Sequence, residues 1–185
     1  MKFFRHSDLA GKHAILGASQ YHWINYDPEK IAQKYKSYIA TLKGTELHDF
    51  AARCIRLKQK LPKSKKTLNQ YVNDAIGFGM TPEQPLYYSE NCFGTTDAIS
   101  FRNDILRIHD FKSGIVPAHM EQLMIYAALF CLEYRVKPQK IQTILRIYQN
   151  DEYIECIPNP LEVKDIMDRI VESDKIIAKL KSEEE

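Results

Sequence analysis

Asp97, Asp110 and Lys112 are the residues whose types and spacing could do chemistry in this chain. They fall in two segments, TTDAISFRN (95–103) and DILRIHDFK (104–112), that alternate like neighbouring strands. Alternation puts Asp97, Ile99 and Phe101 on one face, and Leu106, Ile108, Asp110 and Lys112 on one face of the next strand. A two-residue turn at Asn103–Asp104 would then set Asp97 directly opposite Asp110. Cross-strand partners have Cβ atoms about 4.5–5.5 Å apart, and like charges there are destabilising unless something compensates. A divalent cation is the natural compensator, because Mg²⁺ and Mn²⁺ prefer oxygen ligands. Lys112 would stabilise charge developing on a phosphate oxygen, or orient and help deprotonate an attacking water. The plain alternative is that acids near strand ends sit in solvent. Here the same faces otherwise carry Ile, Leu or Phe, which puts the acids at the rim of a core.

The elements that must position these residues are readable along the chain. At 185 residues, 44% hydrophobic and 27% charged, the chain is expected to form a single globular domain with enough apolar surface for a core. Trp23 and the many tyrosines and phenylalanines argue against disorder. The longest apolar run, residues 124–132, is too short for a membrane span. The start, MKFFRHSDLAGKH, has no apolar signal-peptide region, so a cytoplasmic location without membrane association is expected. Apolar spacing predicts helices over 28–42, capped by Asp27, and over 45–61 after an interruption at Gly44. The second carries Leu47, Phe50, Ala51, Cys54 and Leu57 as its apolar stripe. A third helix spans 67–80, a buried one 117–134 and a terminal one 161–180. Residues 86–91, 95–103, 104–112, 140–148 and 152–157 read as strands. The expected fold is α/β, a central mixed β-sheet flanked by helices. Its parts are an N-terminal helical region (1–43), a catalytic core (44–157), and a C-terminal helix with an acidic tail (158–185).

The series GTELH (44–48), GTTD (94–97), DFKSG (110–114) and QLMIYA (122–127) resembles the RecB-like exonuclease branch of the PD-(D/E)XK nuclease superfamily, in its phage type. The resemblance covers roughly residues 44–156 and implies a restriction-endonuclease-like core. It also implies that His48, Asp97, Asp110 and the backbone carbonyl of Phe111 hold Mg²⁺ or Mn²⁺. Lys112 would be catalytic with Asp97 and Asp110, and Gln122 and Tyr126 would form the Gln-x-x-x-Tyr pair that meets the substrate. Thr96 stands where the name-giving proline would be, and Asp110 replaces Glu. The implied activity is DNA phosphodiester hydrolysis at DNA ends, in DNA recombination, with a recombination or helicase partner and in host cytoplasm if the chain is viral. The alternatives are a structure-specific or restriction-like endonuclease, and an inactive DNA- or protein-binding module on the same fold.

The remaining features carry weaker signals. From Arg53 to Lys66 the chain is rich in Lys and Arg and has no acid. Arg53, Arg56, Lys63, Lys65 and Lys66 are candidate contacts to DNA phosphates without sequence choice, together with Ser113, Gln122 and Tyr126. Such a run is usually a plain solvated face, and it is also the footprint of a phosphate-binding surface; in the latter case Pro62, ending helical regularity, suggests a flexible basic arm rather than a rigid reading head. Cys54, Cys92, Cys131 and Cys156 are too dispersed for a metal knuckle and are expected to be buried thiols, so no iron–sulfur cluster is expected. His109 and His119 lack zinc-like spacing, and no zinc site is expected. Gly114 serves either turn geometry or close approach of a phosphate. The aromatic cluster HWINY (22–26) serves either core packing or base stacking.

Overall fold

The computed structural model describes residues 14–114 and 116–184, and the chain divides between Thr45 and Glu46 into two compact units. In the first unit, a 3-10 segment, Ala18–Asn25, precedes helix α1 (Pro28–Arg56). Asp27 Oδ1 accepts from Lys30 N–H at 2.7 Å, the expected N-cap. Trp23 Nε1 donates to the Gly17 carbonyl at 3.0 Å, but no residue of the 3-10 segment is buried. HWINY therefore does not form a core.

Gly44 does not divide α1. A glycine inside a helix costs about 1 kcal/mol relative to Ala but, unlike proline, keeps its N–H in the ladder. α1 ends at Arg56, before the expected Leu61. Lys58 takes a left-handed φ of 54°, and Gln59 N–H returns to the Cys54 carbonyl at 2.9 Å. This is a Schellman cap built without glycine. The buried stripe of the second unit's part of α1 is Ala51, Ala52, Cys54 and Ile55, while Phe50 and Leu57 are exposed.

Helix α2 (Thr67–Gly77) leads into strands β1 (Thr81–Ser89), β2 (Cys92–Arg102) and β3 (Ile105–Phe111). Helix α3 (Met120–Glu133) then crosses to β4 (Gln142–Gln149), followed by β5 (Glu152–Cys156) and helix α4 (Pro160–Glu184). The five strands lie in chain order in one mixed sheet; only β3 and β4 are parallel, as a crossover through a helix requires. Strand alternation sends Leu106 and Ile108 to the core beneath α3 and α4, with Leu123, Leu129, Leu145 and Val163. Ala98, Phe111 and Tyr148 pack on the other face against Ala51, Cys54, Tyr71, Val72 and Ala75. The site-bearing strands are thus clamped between two helical layers. Cys54 and Cys131 are buried, whereas Cys92 and Cys156 are only half-buried.

A polar network ties α2 to the sheet. Tyr148 OH donates to Asp74 at 2.7 Å, and Arg146 pairs with both Asp74 and Glu155. His109, fully buried beside it, is held neutral. Burial, then the charges of Arg146 and Arg107, lowers its pKa to about 3.

The β2–β3 turn is the two-residue turn Asn103–Asp104, with φ of 50° and 57°. Both values match a type I′ hairpin turn, whose preferred pair is Asn-Gly. Asp104→Gly should raise stability by roughly 0.5 kcal/mol. Relief of about 1–2 kcal/mol of left-handed strain exceeds the roughly 0.5–1 kcal/mol of extra glycine entropy. A higher denaturant midpoint at unchanged slope is the expected result.

At the β4–β5 turn, Asp151 Oδ1 accepts from Thr67 N–H at 2.8 Å and from its hydroxyl at 3.0 Å, while Asp151 N–H donates back at 2.7 Å. These bonds hold the Asp151 carboxyl below its ordinary pKa. A lowered folded pKa confers stability that is complete above the unfolded value of about 3.9 and lost as pH falls through the folded one. The difference in thermal midpoint between the parent chain and Asp151→Asn should therefore be constant near neutrality and shrink in acid.

Candidate metal centre and the lysine beside it

The β2–β3 ladder pairs Ala98 with His109 and Ile99 with Ile108. Continued by one residue, that register faces Asp97 with Asp110, as the two-residue turn requires. At this end the side chains take over from the ladder. Asp97 Oδ2 accepts from Phe111 N–H at 2.8 Å and lies 3.5 Å from His48 Nδ1, on α1. The hydrogen bond to Asp97 raises the His48 pKa, with burial opposing it.

Glu83 is the third member of the cluster. Ligand atoms of His48, Glu83 and Asp97 all lie within 4.8 Å of one another. Pro82 pairs with Ala98 and Gln84 with Thr96, which puts Glu83 opposite Asp97, and its backbone is left-handed with φ of 52°. Burial and then the charge of Asp97 raise the Glu83 pKa. The expected strand spans residues 86–91, whereas β1 begins at Thr81 and includes Pro82 and Pro85. β1 is an edge strand, where missing N–H donors are tolerated. An acid between prolines just ahead of a strand is the only sequence signal for Glu83.

Asp110 is not part of that group of three; it faces Lys112. Its side chain is 3% exposed, and Lys112 Nζ lies 3.1 Å from each of its oxygens. The geometry makes a hydrogen bond to Oδ1 alone, so Oδ2 is buried without one. Burial, then the charge of Asp97, raises the Asp110 pKa, and Lys112 opposes the shift. Lys112 Nζ also reaches Gln122 Oε1 at 3.4 Å, and Gln122 Nε2 donates to Tyr126 OH at 3.2 Å. The Gln122–Tyr126 pair on α3 thus meets the Lys112 ammonium group. Gly94 gives Tyr126 its seat, since a Cβ there would stand 2.9 Å from the tyrosine Cε1. Gly114 needs neither a left-handed φ nor space, so turn geometry does not require it. Phe111 contributes its N–H to Asp97.

Arg53, Arg56, Lys63, Lys65 and Lys66 are all exposed, as is Ser113. The stretch after Arg56 is not a free arm. Asn73 holds both the N–H and the carbonyl of Leu61 at 2.9 Å, and Asn69 and Gln70 donate to the carbonyls of Pro62 and Lys65. The basic charges are therefore presented on a fastened loop beside α2. His119 is exposed at the start of α3, remote in role from His109 in the core.

The donor set of two carboxylates and one imidazole suits a hard or borderline divalent cation, and the clustered negative charge with an orphaned carboxylate oxygen is of the kind such a cation relieves. No protein-family model, curated protein or solved structure matches the chain.

Removing the lysine should leave Asp110 buried without a partner. Lys112→Met is expected to lower stability by about 1–3 kcal/mol, the usual cost of an unsatisfied buried acceptor. Asp110→Asn should recover part of that loss in the double variant, as measured by urea unfolding.

Proposed function

We propose that the chain is a Mg²⁺- or Mn²⁺-dependent deoxyribonuclease of the RecB-like PD-(D/E)XK type, on a restriction-endonuclease-like core, acting at DNA ends. The observation that carries this reading is the juxtaposition of the His48–Glu83–Asp97 group with the Asp110–Lys112 pair on adjoining strand ends. His48, Glu83 and Asp97 would hold the metal. A bound divalent ion lowers the pKa of a coordinated water and screens the scissile phosphate.

The chain's own residues supply the rest. Lys112, fixed by Asp110 and Gln122, donates hydrogen bonds to the attacking water and to the phosphoryl oxygens as their charge grows. Asp97 keeps the two strand ends together through Phe111 N–H and orients the His48 ring. The exposed lysines of the fastened loop attract the phosphate backbone without reading bases.

The test is digestion of end-labelled linear DNA and covalently closed circular DNA with Mn²⁺, Mg²⁺ or EDTA. Metal-dependent loss of the linear substrate alone is expected. Asp97→Asn, which keeps the acceptor for Phe111, should slow cleavage by about 10²–10³-fold, and Lys112→Met by a similar factor where it remains folded. Cutting of the closed circle would favour an endonuclease. DNA binding without cleavage by the parent chain would overturn the enzymatic reading.

A further inference from the structure

The two edges of the sheet are built differently. At β1, Pro82 and Pro85 have no N–H to offer, Glu83 turns the backbone left-handed, and Tyr87 N–H donates to Glu133 Oε2 at 2.9 Å. Prolines and kinks of this kind stop another strand from adding to an edge. β5, EYIEC, has no proline, lysine or glycine, and its ladder with β4 runs unbroken from Glu152 to Cys156. The β4–β5 connection is the two-residue turn Asn150–Asp151, with φ of 54° and 62°. Such a turn closes on a hydrogen-bonded pair, so Gln149–Glu152, Ile147–Ile154 and Leu145–Cys156 are the bonded pairs of this ladder. The N–H and C=O groups of Tyr153 and Glu155 therefore point away from β4, to the open edge. Among the described residues no backbone bond from outside the ladder reaches them. Ile154, between them, is 66% exposed.

We propose that this edge pairs with β5 of a second copy of the chain, antiparallel about a two-fold axis at Ile154, joining the two sheets into one. Outward groups must meet outward groups, which leaves three central registers: Tyr153 opposite itself, Glu155 opposite itself, or Tyr153 opposite Glu155. The first sets Glu155 opposite Asp151 of the other copy, and the second sets two glutamates on the axis. Like charges directly opposite are destabilising. The third sets Glu152 opposite Cys156, and no charge meets its like. Tyr153 and Glu155 then exchange both N–H···O bonds with the second copy, twice over by symmetry. Ile154 meets its own image in a non-hydrogen-bonded pair, where side chains approach most closely. Glu155 arrives already neutralised, since it pairs with Arg146, whose guanidinium also lies 4.7 Å from the Tyr153 ring centroid. A second copy is the occupant because the edge is complementary to itself: tyrosine and glutamate exchange places under the two-fold, as an isologous interface requires.

The experiment is sedimentation velocity of the full chain from about 1 µM to about 1 mM, with circular dichroism to verify folding. One short strand pair makes an interface under about 1,200 Å², in the weakly associating class, so this is the range in which to look. A concentration-dependent dimer is expected. Ile154→Lys, at an exposed position, puts two ammonium groups on the axis and should weaken the dimer by at least about tenfold. Cross-linking reads the register. In a Cys156→Ser background, which supplies the blank, Ile154→Cys should form a disulfide-linked dimer with copper–phenanthroline in air as the oxidant. Non-hydrogen-bonded partners stand about 4.5 Å apart at Cα, within disulfide reach. Tyr153→Cys in the same background, offset from its own image, should give no more cross-linked dimer than the blank. A parent chain that stays monomeric throughout would overturn the assignment and leave the edge to an extended segment of another protein. A dimer that folded Ile154→Lys leaves intact would move the interface elsewhere and overturn it too. Should Ile154→Lys fail to fold, the cysteine variants decide: cross-linking through Tyr153→Cys, or none through Ile154→Cys, rejects this pairing.

Discussion

Taking a carboxylate out of water costs several kcal/mol unless it is paired and hydrogen-bonded, and Asp110 is buried at the end of the central strand of the sheet. Its companion is a lysine two residues further along the same strand direction, which the strand period places on the same face. Much else at this end follows from satisfying that charge. Lys112 is drawn inward, where Gln122 on α3 meets its ammonium group. Tyr126 anchors Gln122, and the absence of a side chain at Gly94 admits the tyrosine ring. A chain of contacts from β2 through α3 thus holds one ammonium group in place. Fixing such a group in advance is what electrostatic stabilisation of a transition state requires.

The charge on the other side of the strand end is balanced differently. Asp97 has no lysine; it shares the Phe111 N–H and the His48 ring, and Glu83 adds a second carboxylate within reach. Two acids gathered around a single imidazole leave an excess of negative charge. Burial first, and then the charge of Asp97, shifts the carboxyl groups of Glu83 and Asp110 upward. Neighbouring acids pushed in this direction are a recurring feature of functional sites, although structural ion-pair networks shift pKa values too. The basic loop does not neutralise this excess by direct contact. It is fastened to α2 by Asn69, Gln70 and Asn73, with its lysines turned to solvent.

The sequence by itself determined the elements and the central register. Alternation along 95–112 and the Asn103–Asp104 pair were enough to set Asp97 opposite Asp110, because a strand's side-chain period is fixed and a two-residue turn leaves no slack. The mixed sheet followed from a helix lying between its third and fourth strands. Element boundaries were less legible where backbone conformation departed from residue preference. Lys58 and Arg135 occupy left-handed positions that usually announce themselves as glycine, and Gly44 sits inside a helix it was expected to interrupt. Only the tertiary structure decided which side chains share the site. Glu83 enters because β1 is an edge strand that tolerates Pro82 and Pro85, and no local pattern encodes edge position. Asp110 turns to Lys112, and the loop after Arg56 is fastened by side chains from α2. These outcomes depend on which charges are desolvated together and which backbone groups lack partners, and both are set by packing between elements distant along the chain.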